Sequence, residues 1–98
     1  MNIPNPKLVA RINSMQCRFR IAKQDMQMKH IQFEAAVKLY QMSLDRKIDK
    51  DMKKLLRLRV DKTRGAWWTA IDKKMVAEME IRKLNRQILA DMEAQRGY

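Results

Sequence analysis

Between Lys7 and Arg64 the sequence contains neither glycine nor proline. The few residues of these two types stand outside that stretch, as Pro4, Pro6, Gly65 and Gly97. A β-rich fold needs many tight turns, and glycine and proline are the residues that form them most readily. We therefore expect an all-α fold, organised as one helical domain over residues 1–98.

Asn5 and Pro6 predict the start of the first helix, because asparagine caps exposed backbone N–H groups and proline suits the first helical position. From there apolar residues recur at alternating spacings of four and three, the pattern of a coiled-coil seam. The seam is interrupted at Lys29 and then resumes. We expect a helix over about 6–43, with a seam of Leu8, Ile12, Met15, Phe19, Ala22, Met26, Phe33, Ala36 and Tyr40.

A turn is expected next, around Ser43, Leu44 and Asp45, and either Ser43 or Asp45 is expected to cap the following helix. Residues 46–64 then separate on a helical wheel into a basic half and an apolar half. We expect the apolar half to pack against the first helix. It consists of Ile48, Met52, Leu55, Leu56, Leu58 and Val60, and is interrupted by Arg59 and Lys62.

Gly65 leaves two architectures open. If a helix ends there, Thr69 and Asp72 form a loose capping box for a third helix over about 67–96, which gives a three-helix arrangement. If the helix continues, at a cost of about 1 kcal/mol relative to alanine, the chain is a long antiparallel helical hairpin. We favour the hairpin, which encloses little core and is expected to associate with copies of itself or with a partner.

The last helical stretch carries two apolar lines, which predicts contacts with two neighbours, or with one neighbour and another subunit. One line is Ile71, Met75 and Met79, and the other is Ala77, Ile81, Leu84, Ile88 and Met92.

Residues that carry catalysis or bind metals are scarce. The single histidine, His30, lies about 20 Å along the predicted helix from the single cysteine, Cys17, so the two cannot form a catalytic pair within one chain. One cysteine and one histidine do not hold zinc. A calcium loop opening at Asp45 would need glycine and glutamate where Lys50 and Leu56 stand. The sequence therefore predicts a protein that is not an enzyme and has no cofactor.

The single cysteine also favours a reducing compartment. No apolar run has the length of a secretory signal or of a membrane span. We expect an intracellular protein.

The charge is strongly basic, at +11, with 22 Lys and Arg against 11 Asp and Glu. Residues 46–64 hold nine basic and three acidic residues, and residues 1–33 hold six basic and one acidic. A purely solvated face usually mixes both signs, so this asymmetry predicts an acidic partner. The expected contacts are Arg46, Lys50, Lys53, Lys54, Arg57 and Arg64, with a second patch of Arg11, Arg18 and Arg20.

The partner that this pattern favours is the phosphate backbone of nucleic acid, bound by a subunit of a larger assembly. The alternative is a helical adaptor, structural or inhibitor protein that contacts itself or an acidic protein, since the charges of Lys29, Arg59 and Lys62 in apolar stripes could meet such a partner. A membrane surface is less favoured, because residues 46–64 lack Trp and Phe. Trp67 and Trp68 are candidate anchors, although one of them is expected in the core.

Overall fold

The computed structural model describes residues 5–96, which form two helices, α1 (Pro6–Leu44) and α2 (Lys50–Arg96). The helices pack along their length as a hairpin, a rod of 77 × 15 × 14 Å. The expected all-α hairpin is confirmed. Gly97 and the segment 1–4, which includes Pro4, lie outside the described residues.

The start of α1 follows the sequence expectation. The side chain of Asn5 accepts a hydrogen bond of 3.0 Å from the backbone N–H of Lys7, and Pro6 occupies the first turn. The backbone carbonyl of Asn5 accepts a second bond, of 3.1 Å, from the N–H of Val9. The first contact satisfies a backbone N–H that a helix N-terminus otherwise leaves open, and the second is the first intrahelical bond of α1.

The bend between the helices lies later than expected. Ser43 belongs to α1, where it is buried and its hydroxyl donates to the carbonyl of Tyr40 at 2.6 Å, and Asp45 ends the helix. The carbonyl of Asp49 accepts the first bond of α2, from the N–H of Lys53 at 3.0 Å. The prediction that Ser43 or Asp45 caps a helix starting at residue 46 is therefore wrong, because both residues are used by α1.

Gly65 does not interrupt α2, so the three-helix alternative is wrong. The hydroxyl of Thr69 donates to the carbonyl of Gly65 at 2.9 Å, within one continuous helix, and is not the cap of a new one. A Cβ added at Gly65 would meet nothing within 4 Å. This glycine therefore serves neither a turn nor a close approach of the backbones.

Each helix presents one unbroken heptad seam to the other. The α1 seam keeps the expected residues, and Lys29 and Ser43 fill its remaining positions. In α2 spacings of three and four alternate without a break, straight past Gly65. Its members, all buried or half-buried, are Lys53, Leu56, Val60, Thr63, Trp67, Ala70, Lys74, Ala77, Ile81, Leu84, Ile88 and Asp91.

The first turns of α2 expose more apolar surface than the sequence predicted. Leu56 and Val60 lie in the seam, whereas Met52, Leu55 and Leu58 face solvent. The expectation that the whole apolar half packs on α1 is wrong, because a single helix can cover only a narrow seam. A two-helix rod thus leaves large apolar side chains without a covering element.

Candidate nucleic-acid interface

The predicted basic face near the bend is divided by the seam of α2. Lys50, Lys54 and Arg57 are exposed, and Arg46 is exposed in the bend. Lys53 is half-buried at a seam position, so it belongs to the contact with α1 more than to the open face.

Arg64 lies on the same flank of α2 as Lys50 and Arg57, because the three are seven residues apart. Its guanidinium carbon is 5.8 Å from the ring centre of Phe33, and one of its nitrogens is 3.8 Å from a carboxylate oxygen of Asp61. Arg57, Asp61 and Arg64 line one groove of the hairpin. The carboxylate lowers the positive potential of this flank, so Lys50, Lys54 and Arg57 are its most available cations.

On the opposite side of the hairpin, a groove near the bend gathers Lys29, Arg59 and Lys62, and we call it the basic groove. Gln32 and Thr63 also line it, and no carboxylate is among its lining residues. Lys29 comes from α1, whereas Arg59 and Lys62 come from α2. The Lys29 nitrogen is 4.0 Å from the carboxylate of Asp25, on the same helix but outside the groove.

In the sequence these three cations interrupt apolar stripes, which predicted a contact with an acidic protein partner. The predicted nucleic-acid site did not include them. The sequence feature that indicates these cations is that each one interrupts an apolar stripe. A cation in an apolar stripe next to a seam lies at the edge of the helix contact, where both helices contribute to one groove.

The second predicted patch, Arg11, Arg18 and Arg20, does not form one surface. All three residues are exposed. Arg11 and Arg18 are seven residues apart and share a flank of α1, whereas Arg20 points about 160° away from Arg18. Arg18 lines a shallow groove with Lys73 and Glu80, so its surroundings carry both signs of charge.

The two neighbouring tryptophans have different environments. Trp67 is half-buried in the seam, where its ring stacks on Phe33 with centres 5.4 Å apart and lies 4.5 Å from the ring of His30. Trp68 is 57% exposed. Trp67 therefore joins α1 to α2, and of the two candidate anchors only Trp68 is open to a partner.

Ion pairs engage few of the cations. Within residues 5–96, only three Lys or Arg side chains lie within 4.0 Å of a carboxylate: Lys29, Arg64 and Arg82. The pair of His30 with Glu34, at 3.2 Å, is also internal to one helix. Exposed pairs of this kind contribute about 0–1 kcal/mol each. Most of the positive charge thus remains available to a partner.

The described part of the chain contains no group of three or more His, Cys, Asp or Glu placed to hold a metal ion. Neither helix, over residues 5–96, has a stretch that is apolar over the length a bilayer requires.

Comparison of the chain with protein-family models, with curated proteins and with solved structures found no match.

Proposed function

We propose that this protein binds the phosphate backbone of nucleic acid through the bend end of the hairpin, as a non-enzymatic subunit of a larger assembly. The observation that carries the proposal is the basic groove, in which Lys29, Arg59 and Lys62 come together with no carboxylate among the lining residues.

Cations gathered in one groove raise the local positive potential, because their fields add and the nearby protein screens them less than water does. The guanidinium of Arg59 offers two parallel donors to a phosphate, and the ammonium groups of Lys29 and Lys62 act as point charges. Amide and hydroxyl groups of Gln32 and Thr63 add polar contacts at the same place. Such a site binds phosphates without reading bases.

The exposed cations of α2 extend this surface along the rod. From Lys50 to Arg64 the helix rises about 21 Å, which matches the axial length of about six phosphates along one strand of B-DNA. Lys50, Lys54 and Arg57 lie on the flank opposite the basic groove. We expect phosphate contacts on both flanks of the bend end.

The test is titration of a duplex DNA and of a single-stranded RNA with the intact chain, over a series of salt concentrations. Replacing the three groove cations (Lys29→Gln, Arg59→Gln, Lys62→Gln) should weaken binding and reduce the slope of log affinity against log salt by about 2–3, since each lost phosphate contact removes about 0.7–0.9. The matched control removes three cations from the far end of α2 (Lys83→Gln, Arg86→Gln, Arg96→Gln).

Equal losses in the two variants would show that only net charge matters and would contradict a site in the groove. Vesicles of anionic lipid provide the other arm of the experiment. Binding to vesicles with no binding to either nucleic acid would refute the proposal.

A second candidate function, assembly through protein contacts, is favoured by the exposed apolar side chains. Those on α1 include Ile21, Met28 and Ile31, and those on α2 include Trp68 and Met79. Contiguous apolar patches on a soluble protein mark interaction sites. The two candidates are compatible, because the basic groove and these side chains occupy different surfaces.

A further inference from the structure

The side of α1 that faces away from α2 carries a second heptad stripe, which we call the outer stripe. Its members follow spacings of three and four without a break and are all exposed. They are Ser14, Cys17, Ile21, Gln24, Met28, Ile31, Ala35, Lys38 and Met42. Lys38 is the one charged member, in a chain in which 34% of residues are charged. A heptad stripe of this kind is the surface that a further helix would cover.

The thin rod exposes more surface than a compact protein of the same mass. The described chain exposes 8134 Å², whereas a compact folded protein of 11.7 kDa exposes about 5,900 Å². The excess of about 2,200 Å² is spread over all sides of the rod, and an interface of standard size would take roughly 800 Å² from each partner. We propose that the outer stripe binds the outer stripe of a second copy of this chain, with the two α1 helices antiparallel.

In one antiparallel alignment of two copies, the largest apolar residues of the outer stripe lie opposite each other. Antiparallel coiled coils place a-type positions opposite d-type positions. With the twofold axis level with residue 26, Ile21 lies opposite Ile31 of the second copy, and Gln24 lies opposite Met28. Each pair occurs twice because the two copies are equivalent.

Charges beside the stripe complement one another in this register. Arg20 of one copy flanks Glu34 of the other, and symmetry repeats this pair. Arg20 and Glu34 are both exposed. Asp25 approaches its symmetry mate at the axis, and Lys29, 4.0 Å away in the same chain, offsets that repulsion.

The parallel arrangement is disfavoured by like charges. It would place Lys38 opposite Lys38 in one layer and would bring the two basic bends, residues 46–64 of each copy, to the same end. In the antiparallel dimer Lys38 faces Ser14. The two basic segments are then about 60 Å apart at residue 46 and about 20 Å apart at Arg64, which lies level with Phe33. Both distances exceed two Debye lengths of about 8 Å at physiological ionic strength, so their repulsion is largely screened.

Sedimentation equilibrium of the intact chain without nucleic acid tests the interface. We expect a mass of twice 11.7 kDa for the parent protein. Ile31→Lys should weaken dimerisation at least about tenfold, because a charge would enter two apolar layers. Leu55→Lys is the matched control, since Leu55 has the same exposed fraction of 61% but lies on α2. A monomeric parent protein, or equal effects of the two variants, would overturn the proposal.

Disulfide formation tests the orientation. In the antiparallel register the two Cys17 thiols are about 27 Å apart, so mild oxidation should leave the parent protein unlinked. Ala35→Cys places a thiol opposite Cys17 of the second copy and should give a linked dimer, which a further Cys17→Ser change abolishes. Efficient linkage of the parent protein through Cys17 would indicate parallel helices and refute the register.

The inference deepens the assembly part of the proposed function and does not depend on nucleic-acid binding. Mass and disulfide formation are measured without nucleic acid, so failure of either proposal leaves the other intact.

Discussion

At the scale of single residues, the two adjacent tryptophans show how one position along a helix changes a side chain's role. Neighbouring helical residues point about 100° apart. Trp67 therefore meets Phe33 and His30 of α1, while Trp68 is 57% exposed. The pair provides an internal comparison of the same side chain inside and outside the helix contact.

We expect Trp67→Ala to lower the free energy of unfolding by about 2–4 kcal/mol, somewhat less than full burial of the ring would imply. Trp68→Ala should change it by less than about 1 kcal/mol, because most of that ring is solvated. Urea denaturation followed by helical circular dichroism measures both values. Equal losses for the two variants would contradict the seam position of Trp67.

Seam charges provide a second comparison at this scale. Lys74 is half-buried in the seam between Ala70 and Ala77, whereas its neighbour Lys73 is exposed. A polar residue in a coiled-coil seam lowers stability and helps to specify register.

Lys74→Leu should therefore raise the free energy of unfolding by about 1–2 kcal/mol, through apolar burial at the seam. Lys73→Leu should leave it nearly unchanged, which makes it the control. Comparing the urea midpoints of the two variants with that of the parent protein tests this prediction. A gain in the Lys73 variant alone would mean that the register of α2 is displaced.

At the scale of the element, α2 is one helix of 47 residues despite its internal glycine. The low helix propensity of glycine costs only about 1 kcal/mol relative to alanine at Gly65. The seam on both sides of that residue contacts α1. Packing of the seam thus outweighs the local preference of a single residue.

Gly65→Ala should stabilise the chain by about 0.5–1 kcal/mol, because the new methyl group meets no neighbour within 4 Å and alanine restricts the unfolded chain. The thermal midpoint and the helical content of this variant, both measured by circular dichroism, should be equal to or higher than those of the parent protein. A lower midpoint would indicate that Gly65 adopts a backbone conformation that alanine does not tolerate.

At the scale of the whole molecule, a charge of +11 on a thin rod makes self-repulsion a substantial force against folding. The ion pairs observed in residues 5–96 are exposed and internal to single helices, so they compensate little of it. Added salt screens this repulsion and should therefore raise the free energy of unfolding.

Raising sodium chloride from 0.01 to 0.1 M shortens the Debye length from about 30 to about 10 Å. We expect the free energy of unfolding to rise by roughly 1 kcal/mol, while nucleic-acid affinity falls. Urea unfolding at the two salt concentrations measures the first effect. The variant lacking the three groove cations should show a smaller increase, and a decrease in the parent protein would mean that ion pairs dominate.

Much of the fold followed from local sequence patterns. The scarcity of glycine and proline argued against a β-rich fold, Asn5 and Pro6 located the start of α1, and its apolar period defined the seam. The bend was placed too early, because Ser43 and Asp45 are both good capping residues and nothing local shows that α1 uses them. For the candidate site, the exposed cations Lys50, Lys54 and Arg57 were predicted from the helical period, whereas the basic groove was not.

Sequence alone determined that this chain is helical, basic and poor in catalytic groups, because propensity, charge and residue type are local properties. Tertiary structure decided which of several apolar lines is covered. A helix contact buries only a narrow seam, and the pairing of α1 with α2 selects one line from each helix. That selection places Lys29 beside Arg59 and Lys62 in one groove and leaves the outer stripe of α1 open. Both results depend on the packing of residues distant in sequence, which the local patterns alone do not specify.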